Sequence, residues 1–236
     1  MPETNGTEQA LPAAPHTVIF DVGEVLIDET RVWSVWADLI GVSPLTFASV
    51  LGAAIVQGED YPAVFSHLAP NVAMDAFVSA HDAAYGGFRA EDLYPDVRAC
   101  LDALQADGFT VVIAGNQPAT RTAELHALNL GVEKIVMSEE LGVEKPDVAF
   151  FSAACSFAGI KDPSRVLYVG DRVDRDVIPA QNFGMATCWL MRGPYGRLQD
   201  CPESHEPNLT LEGLGELPVL LAAWRDADNE TNDLRS

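Results

Sequence analysis

Val18, Ile19 and Phe20 form an apolar, β-branched-rich run that stops at a lone carboxylate, Asp21. A run this short and this uniformly apolar predicts a strand buried on both faces. The pattern returns at Thr110 to Ala114 (TVVIA), Arg165 to Val169 (RVLYV) and Ala186 to Leu190 (ATCWL). Shorter runs at Lys134 to Met137 and Asn208 to Leu211 predict a short strand and an edge strand. Between these runs the apolar spacing lengthens to the helical period. Val97, Leu101 and Leu104 mark a helix that stops at Asp107-Gly108, and Thr122, Leu125 and Leu128 mark another. Ala149 to Phe157, Ala180 to Phe183 and Leu217 to Trp224 add three more. Strand alternating with helix predicts an α/β fold: a doubly wound, mostly parallel sheet with right-handed crossovers.

One segment breaks the alternation. From Arg31 to Asp92 the apolar residues recur only at helical spacing, as at Trp33, Trp36, Leu39 and Ile40, then Phe47, Val50, Leu51 and Ile55. Pro44, Pro62 and Pro70 punctuate it. This predicts a small α-helical module of about four helices, an inserted cap over 31–92, within a core formed by 17–30 and 93–225. The ends, 1–16 and 226–236, are rich in polar and small residues and read as flexible tails.

Composition narrows the function. The 236 residues carry 35 acidic and 14 basic side chains, a formal net charge of −21. Such a field repels nucleic acid and anionic membrane, so neither is an expected partner. No apolar run reaches the ~18 residues of a membrane span. Cys100, Cys155, Cys188 and Cys201 lack CxxC spacing and read as reduced packing residues of a cytoplasmic protein. The field also opposes phosphate esters unless a cation offsets it locally. Only three lysines occur, Lys134, Lys145 and Lys161, so a lysine beside a strand end draws notice.

Carboxyl ends of parallel strands are where α/β sheets place their ligands. Asp21 stands at such an end, and two readings of it are open: a reacting carboxylate, or a turn residue capping the next segment. The other strand ends settle on one pattern. FDVGEVL at 20–26, AGN at 114–116, GVEKPDVAFF at 142–151 and VGDRVDRD at 169–176, in that order, resemble the four motifs of the haloacid dehalogenase (HAD) superfamily. LYPDVRACLDAL at 93–104 is similar to the segment by which such chains re-enter the core after a cap.

The resemblance implies a Mg²⁺-dependent phosphatase acting on a small phosphorylated metabolite. Asp21 would be the nucleophile that forms an aspartyl-phosphate. The metal would be held by Asp21, the backbone carbonyl of Gly23, Asp171 and Asp176, the last in preference to Asp174. Lys145 would neutralise the nucleophile and the phosphoryl group, and Gly115 and Asn116 would line the substrate. Arg172 and Arg175 either face the site or, as the preferred reading, face solvent.

Two positions depart from that pattern. Most hydrolytic relatives carry an Asp two residues after the nucleophile, to protonate the leaving group, and here that position is Gly23. Glu24, one residue later, either replaces it or points elsewhere. Where relatives carry Ser or Thr, this chain has Gly115. The departures keep an alternative open: a HAD-fold protein that binds Mg²⁺ or phosphate with weak or no turnover.

Overall fold

Residues 13–71 and 73–233 are described by a computed structural model, with the side chains of 232 and 233 excepted. Six strands make one wholly parallel sheet: β1 (Thr17–Phe20), β2 (Thr110–Gly115), β3 (Lys134–Met137), β4 (Val166–Gly170), β5 (Ala186–Leu190) and β6 (Leu209–Leu211). Their spatial order is β3-β2-β1-β4-β5-β6. The chain builds outward from β1 to β3, then crosses to β4 on the other side of β1. Strand order therefore reverses beside β1, where open α/β sheets form a crevice at the carboxyl ends.

The apolar runs are continuous because the sheet is covered twice. Val18, Phe20, Val111 and Ile113 pack on one face against residues of α5 (Val97–Ala106), α6 (Thr120–Ala127) and α11 (Leu217–Asp233). Ile19, Val112 and Ala114 pack on the other against α8 (Val148–Ala158) and α9 (Ile178–Phe183), which α7 (Ser138–Leu141) precedes. A strand with both faces buried has no polar positions to alternate.

Between β1 and β2 the chain forms α1 (Thr30–Ile40), α2 (Pro44–Val56), α3 (Pro62–Leu68) and α4 (Val78–Tyr85). The first three share a core built on Trp36, Phe47, Leu51, Val64 and Phe65, to which Tyr195 of α10 (Gly193–Leu198) adds a ring, and α4 joins them through His81 on Trp36. Among the described residues no single helix is long and apolar enough to cross a membrane.

Two tail expectations change. Residues 1–12 lie outside the description, but Ala14 and Pro15 are buried. The last helix does not stop at Trp224: α11 continues to Asp233. Asp228 anchors the extension, accepting from Arg165 Nη1 at 2.8 Å and from the backbone N–H of Ala14 at 3.1 Å. Two tails that look independent in the sequence hold each other.

His81 makes the cap core sensitive to pH. It is buried, stacks on Trp36 with ring centroids 4.1 Å apart, and its Nε2 lies 3.2 Å from the Val32 carbonyl. Burial pushes its pKa below its ordinary value near 6.5. The unfolded chain then takes up the proton first as pH falls, so the stabilisation present above about pH 6.5 is lost below it. Thermal melts are expected to show a larger drop in Tm on acidification from about pH 7.5 to about pH 5.5 for the wild type than for His81→Phe. Equal slopes would assign the acid sensitivity to other groups.

Candidate active site

The carboxyl ends of β1, β2 and β4 converge on one cluster. Asp21 follows β1 directly, and its backbone N–H donates to the Val169 carbonyl at 2.9 Å, continuing the ladder with β4. Asp171 follows Gly170, the last residue of β4. The next residues wind one wide π-helical turn, Val173–Val177, which returns Asp176 to the strand end. There its Oδ2 accepts from the Arg172 backbone N–H at 2.9 Å. Gly170 makes this possible, because a Cβ on it would overlap the Asp176 carboxyl. Carboxylate oxygens of Asp21, Asp171 and Asp176 all lie within 4.8 Å of one another, and all three residues are buried. Asp174 stands apart, paired with Arg172 at 2.7 Å and accepting from Gln199 at 2.7 Å.

Lys145 enters from the loop before α8. Its Nζ lies 2.8 Å from Asp21 Oδ1 and 2.6 Å from Asp176 Oδ1, and it is 3% exposed. The Asn116 amide fixes this loop from the end of β2. Its Oδ1 accepts from the Lys145 N–H and its Nδ2 donates to the Lys145 carbonyl, both at 2.8 Å. Asn116 thus holds the lysine's backbone with the side chain expected to line the substrate. Gly115 is set by Asp21: a Cβ there would sit 2.7 Å from Asp21 Oδ1 and 2.9 Å from Val22 Cγ2. The absent Ser or Thr has no room while Asp21 holds this position.

The electrostatics are those of an acidic site short of cations. Burial pushes Asp171 well above the usual carboxylate range, and Asp176 and Asp21 beside it push further. Burial likewise raises Asp176, to about 6, although Lys145 opposes the rise. Burial alone would lower Lys145, but Asp176 and Asp21 hold its ammonium charged, well above its ordinary value. Among the described residues no hydrogen bond or ion pair reaches the Asp171 carboxyl, which is buried. Three converging carboxylates with one ammonium, and one carboxyl unpartnered, fit a hard divalent cation that takes oxygen ligands.

Glu24 does not face this cluster as a free acid. Its Oε2 accepts from the Tyr94 hydroxyl at 2.5 Å and its Oε1 from the Glu29 backbone N–H at 3.2 Å. Its side chain lies against the Cα of Gly193, where a Cβ would come within 2.6 Å of Glu24 Cδ. Glu24 has a left-handed backbone, φ 53°, inside the tight turn that Glu24 and Ile27 close with a 2.7 Å hydrogen bond. Burial raises its pKa.

Arg172 and Arg175 correct the solvent-facing expectation. Both turn toward the cap, where Asp60 receives Arg172 Nη1 at 3.0 Å, the Arg175 guanidinium, and the Tyr195 hydroxyl at 3.1 Å. Arg172 also stacks on the Tyr195 ring, 3.9 Å from its centroid. The partner that draws them in, Asp60, lies in the loop before α3 and carries no motif, so the sequence offered no signal for it. Burial works against Asp60, but Arg172 and Arg175 hold its carboxyl below the usual range. Asp60→Ala is expected to raise hydrogen exchange of α3 amides about tenfold, the equivalent of one charge-assisted contact, about 1.4 kcal/mol. Unchanged exchange would show that Asp60 does not tie cap to core.

Between cap and core lies a cavity of about 310 Å³. Asp21, Gly23, Glu29, Lys145 and Asp171 form its floor, Trp33, Trp36, His81 and Tyr85 its cap wall, and Arg121, Arg172 and Arg175 its rim. Glu29 is a floor residue that no motif marked. Burial raises its pKa to about 8, and Glu24 and Asp21 add to the rise.

The chain is similar to known proteins. A model of the haloacid dehalogenase-like hydrolases matches residues 15–184. The glyceraldehyde 3-phosphate phosphatase of Methanopyrus kandleri is 32% identical over 152 residues, 63% of either chain. The pyrimidine 5'-nucleotidase YjjG of Escherichia coli is 36% identical over 129 residues, 54% of this chain and 56% of that protein. The (S)-2-haloacid dehalogenase 1 of Pseudomonas sp. is 33% identical over 135 residues, with the same two coverages. The chain thus matches under two thirds of the length of these curated relatives. In fold it is similar to the magnesium-bound HAD-hydrolase YfnB of Bacillus subtilis, with TM-score 0.68, 19% identity and 88% and 99% of the two chains covered. The L-2-haloacid dehalogenase of Xanthobacter autotrophicus gives TM-score 0.64, 19% identity, and 88% and 98%.

Proposed function

The chain belongs to the haloacid dehalogenase-like hydrolases, and on that premise we propose a Mg²⁺-dependent phosphatase that acts on a small phosphorylated metabolite through an aspartyl-phosphate at Asp21. One observation carries the reading. The Asp21 carboxyl lies at the floor of the cap cavity, with Lys145 2.8 Å away and two further buried carboxyls within 4.8 Å. Displacing a halide from carbon puts no anionic oxygens on the reacting atom, whereas a phosphoryl group carries three. A cluster of carboxyls is poorly suited to such a group unless a cation joins it, and the fit of these residues to a hard cation favours phosphoryl transfer.

Asp21, Asp171 and Asp176 would hold the Mg²⁺, which when bound offsets the negative charge of the phosphoryl oxygens. The chain's own residues do the rest. Asp21 attacks phosphorus, and the ester oxygen leaves as the Asp21 Oδ–P bond forms. Lys145, pinned between Asp21 and Asp176, keeps an ammonium beside the transferring group. Asn116 fixes the backbone of Lys145, which sets where its side chain starts toward the site. The aromatic cap wall receives the organic part of the substrate and, with the Asp60 contacts closed, limits water at the site.

The relatives' substrates, glyceraldehyde 3-phosphate and pyrimidine nucleotides, define the first compounds to offer. Phosphate release is expected from at least one member of a panel of phosphorylated metabolites when Mg²⁺ is present, and is expected to stop with a chelator. Release that is indifferent to the chelator would remove the metal from the account. No release from any member would favour the binding-only alternative.

A further inference from the structure

The carboxyl of Glu29 fills the space that Gly23 leaves open. A Cβ built on Gly23 would come 2.8 Å from Glu29 Cδ and 3.3 Å from Oε2, and closer still to Oε1. All three nearest atoms belong to that one carboxyl, so the two residues compete for a single place in the floor. Glu29 occupies the N-cap position of α1, yet its side chain accepts nothing from the helix, and among the described residues no hydrogen bond or ion pair reaches its carboxyl. A side chain in a capping position that does not cap, and that lines the same cavity as Asp21, is held there by something other than helix stability.

We propose that Glu29 is the proton donor and acceptor of the reaction, reaching from the far end of the loop into the place where position 23 has no side chain. The inference rests on the phosphatase reading above. In the first step the ester P–O bond breaks as the Asp21 Oδ–P bond forms, and the leaving oxygen takes the Glu29 proton. In the second step the Glu29 carboxylate takes a proton from a water whose oxygen attacks phosphorus. The Asp21 Oδ–P bond breaks, phosphate leaves, and both carboxyls return to their starting forms. Glu24 acts through Glu29 as a positioning residue. Its Oε1 accepts from the Glu29 backbone N–H, the Tyr94 hydroxyl fixes its other oxygen, and its left-handed backbone is strain retained at the turn that sets Glu29.

The test compares two substrates that differ in how much their leaving group needs a proton: a simple alkyl phosphate and p-nitrophenyl phosphate. Glu29→Gln is expected to lower the single-turnover rate of alcohol release from the alkyl phosphate about 10²–10⁴-fold and to change the p-nitrophenol burst by no more than about threefold, the first step being the one in which the two leaving groups differ. A structural role would lower both alike. The second variant guards against misfolding: in Gly23→Asp combined with Glu29→Ala, the carboxyl returns to position 23 with its competitor removed. It is expected to recover about tenfold or more of the alkyl phosphate rate lost by Glu29→Ala alone. Equal losses on both substrates, or no recovery in the paired variant, overturn the Glu29 role while the phosphatase reading stands. A wild type that releases phosphate from neither ester nor from any member of the metabolite panel overturns both.

Discussion

Asp21→Asn is expected to leave a folded protein whose phosphate release falls about 10⁴-fold or more, with the loss in kcat. The amide keeps the shape of the carboxyl and can still receive the Lys145 ammonium through its oxygen, 2.8 Å away in the wild type. It no longer offers a negatively charged oxygen to phosphorus. Stability should move the other way. Asp21 is one of the groups that raise Asp171 and Asp176, so removing its charge relieves repulsion in a buried cluster. A variant that melts at or above the wild-type Tm and yet releases no phosphate would separate chemistry from folding. Equal release by variant and wild type would remove Asp21 from the reaction.

Lys145→Met should fail in both respects. The ammonium is the one cation in direct contact with the acidic cluster among the described residues, 2.6 Å from Asp176 and 2.8 Å from Asp21. Replacing it by an apolar side chain of similar length leaves its carboxylates buried without it. Breaking a buried ion pair from one side costs about 3–5 kcal/mol, which for a chain of this size is a fall of roughly 10 °C in Tm. A saturating divalent cation should return part of that stability by binding only the folded form. Activity should stay down about 10²–10³-fold with the cation present, because the fixed charge beside the phosphoryl group is gone. Differential scanning calorimetry with and without Mg²⁺, beside kcat, checks both halves. An unchanged Tm would mean that the carboxyls take up protons at no expense to the fold, contrary to the ion pairing seen at Lys145.

How much of this the sequence could show follows from where each signal lies. The strands were legible because a sheet covered on both faces needs unbroken apolar runs, and Val18 to Phe20 and Val111 to Ala114 have no other use. Asp21 and Asp171 were legible because each interrupts such a run at its carboxyl end. Lys145 stood out as one of few lysines, but the Asn116 amide that holds its backbone did not, since that contact joins separate loops. Asp60 and Glu29 carry no local pattern at all. Arg172 and Arg175 look like solvent-facing neighbours of Asp174 until the cap loop brings Asp60 over them. The absence of a side chain at Gly23 was plain in the sequence. Its occupant was not, because the turn through the left-handed Glu24 decides which later carboxyl returns to that place. The continuation of α11 was hidden for the same reason, since Asp228 is secured by Arg165 and Ala14 from distant parts of the chain.

The two glycines that set this chain apart now have physical accounts. Gly115 gives Asp21 its room, and Gly23 gives Glu29 its place. The binding-only alternative drew its force from those positions, so the covalent step is the point to examine. The most direct measurement is a single turnover with a phosphorylated substrate, quenched and reduced with borohydride, followed by mass spectrometry of the peptide that spans β1. An aspartyl-phosphate at Asp21 predicts reduction of that one side chain to the alcohol, dependent on substrate and absent in Asp21→Asn. Phosphate release at the wild-type rate with Asp21 unreduced would contradict the account.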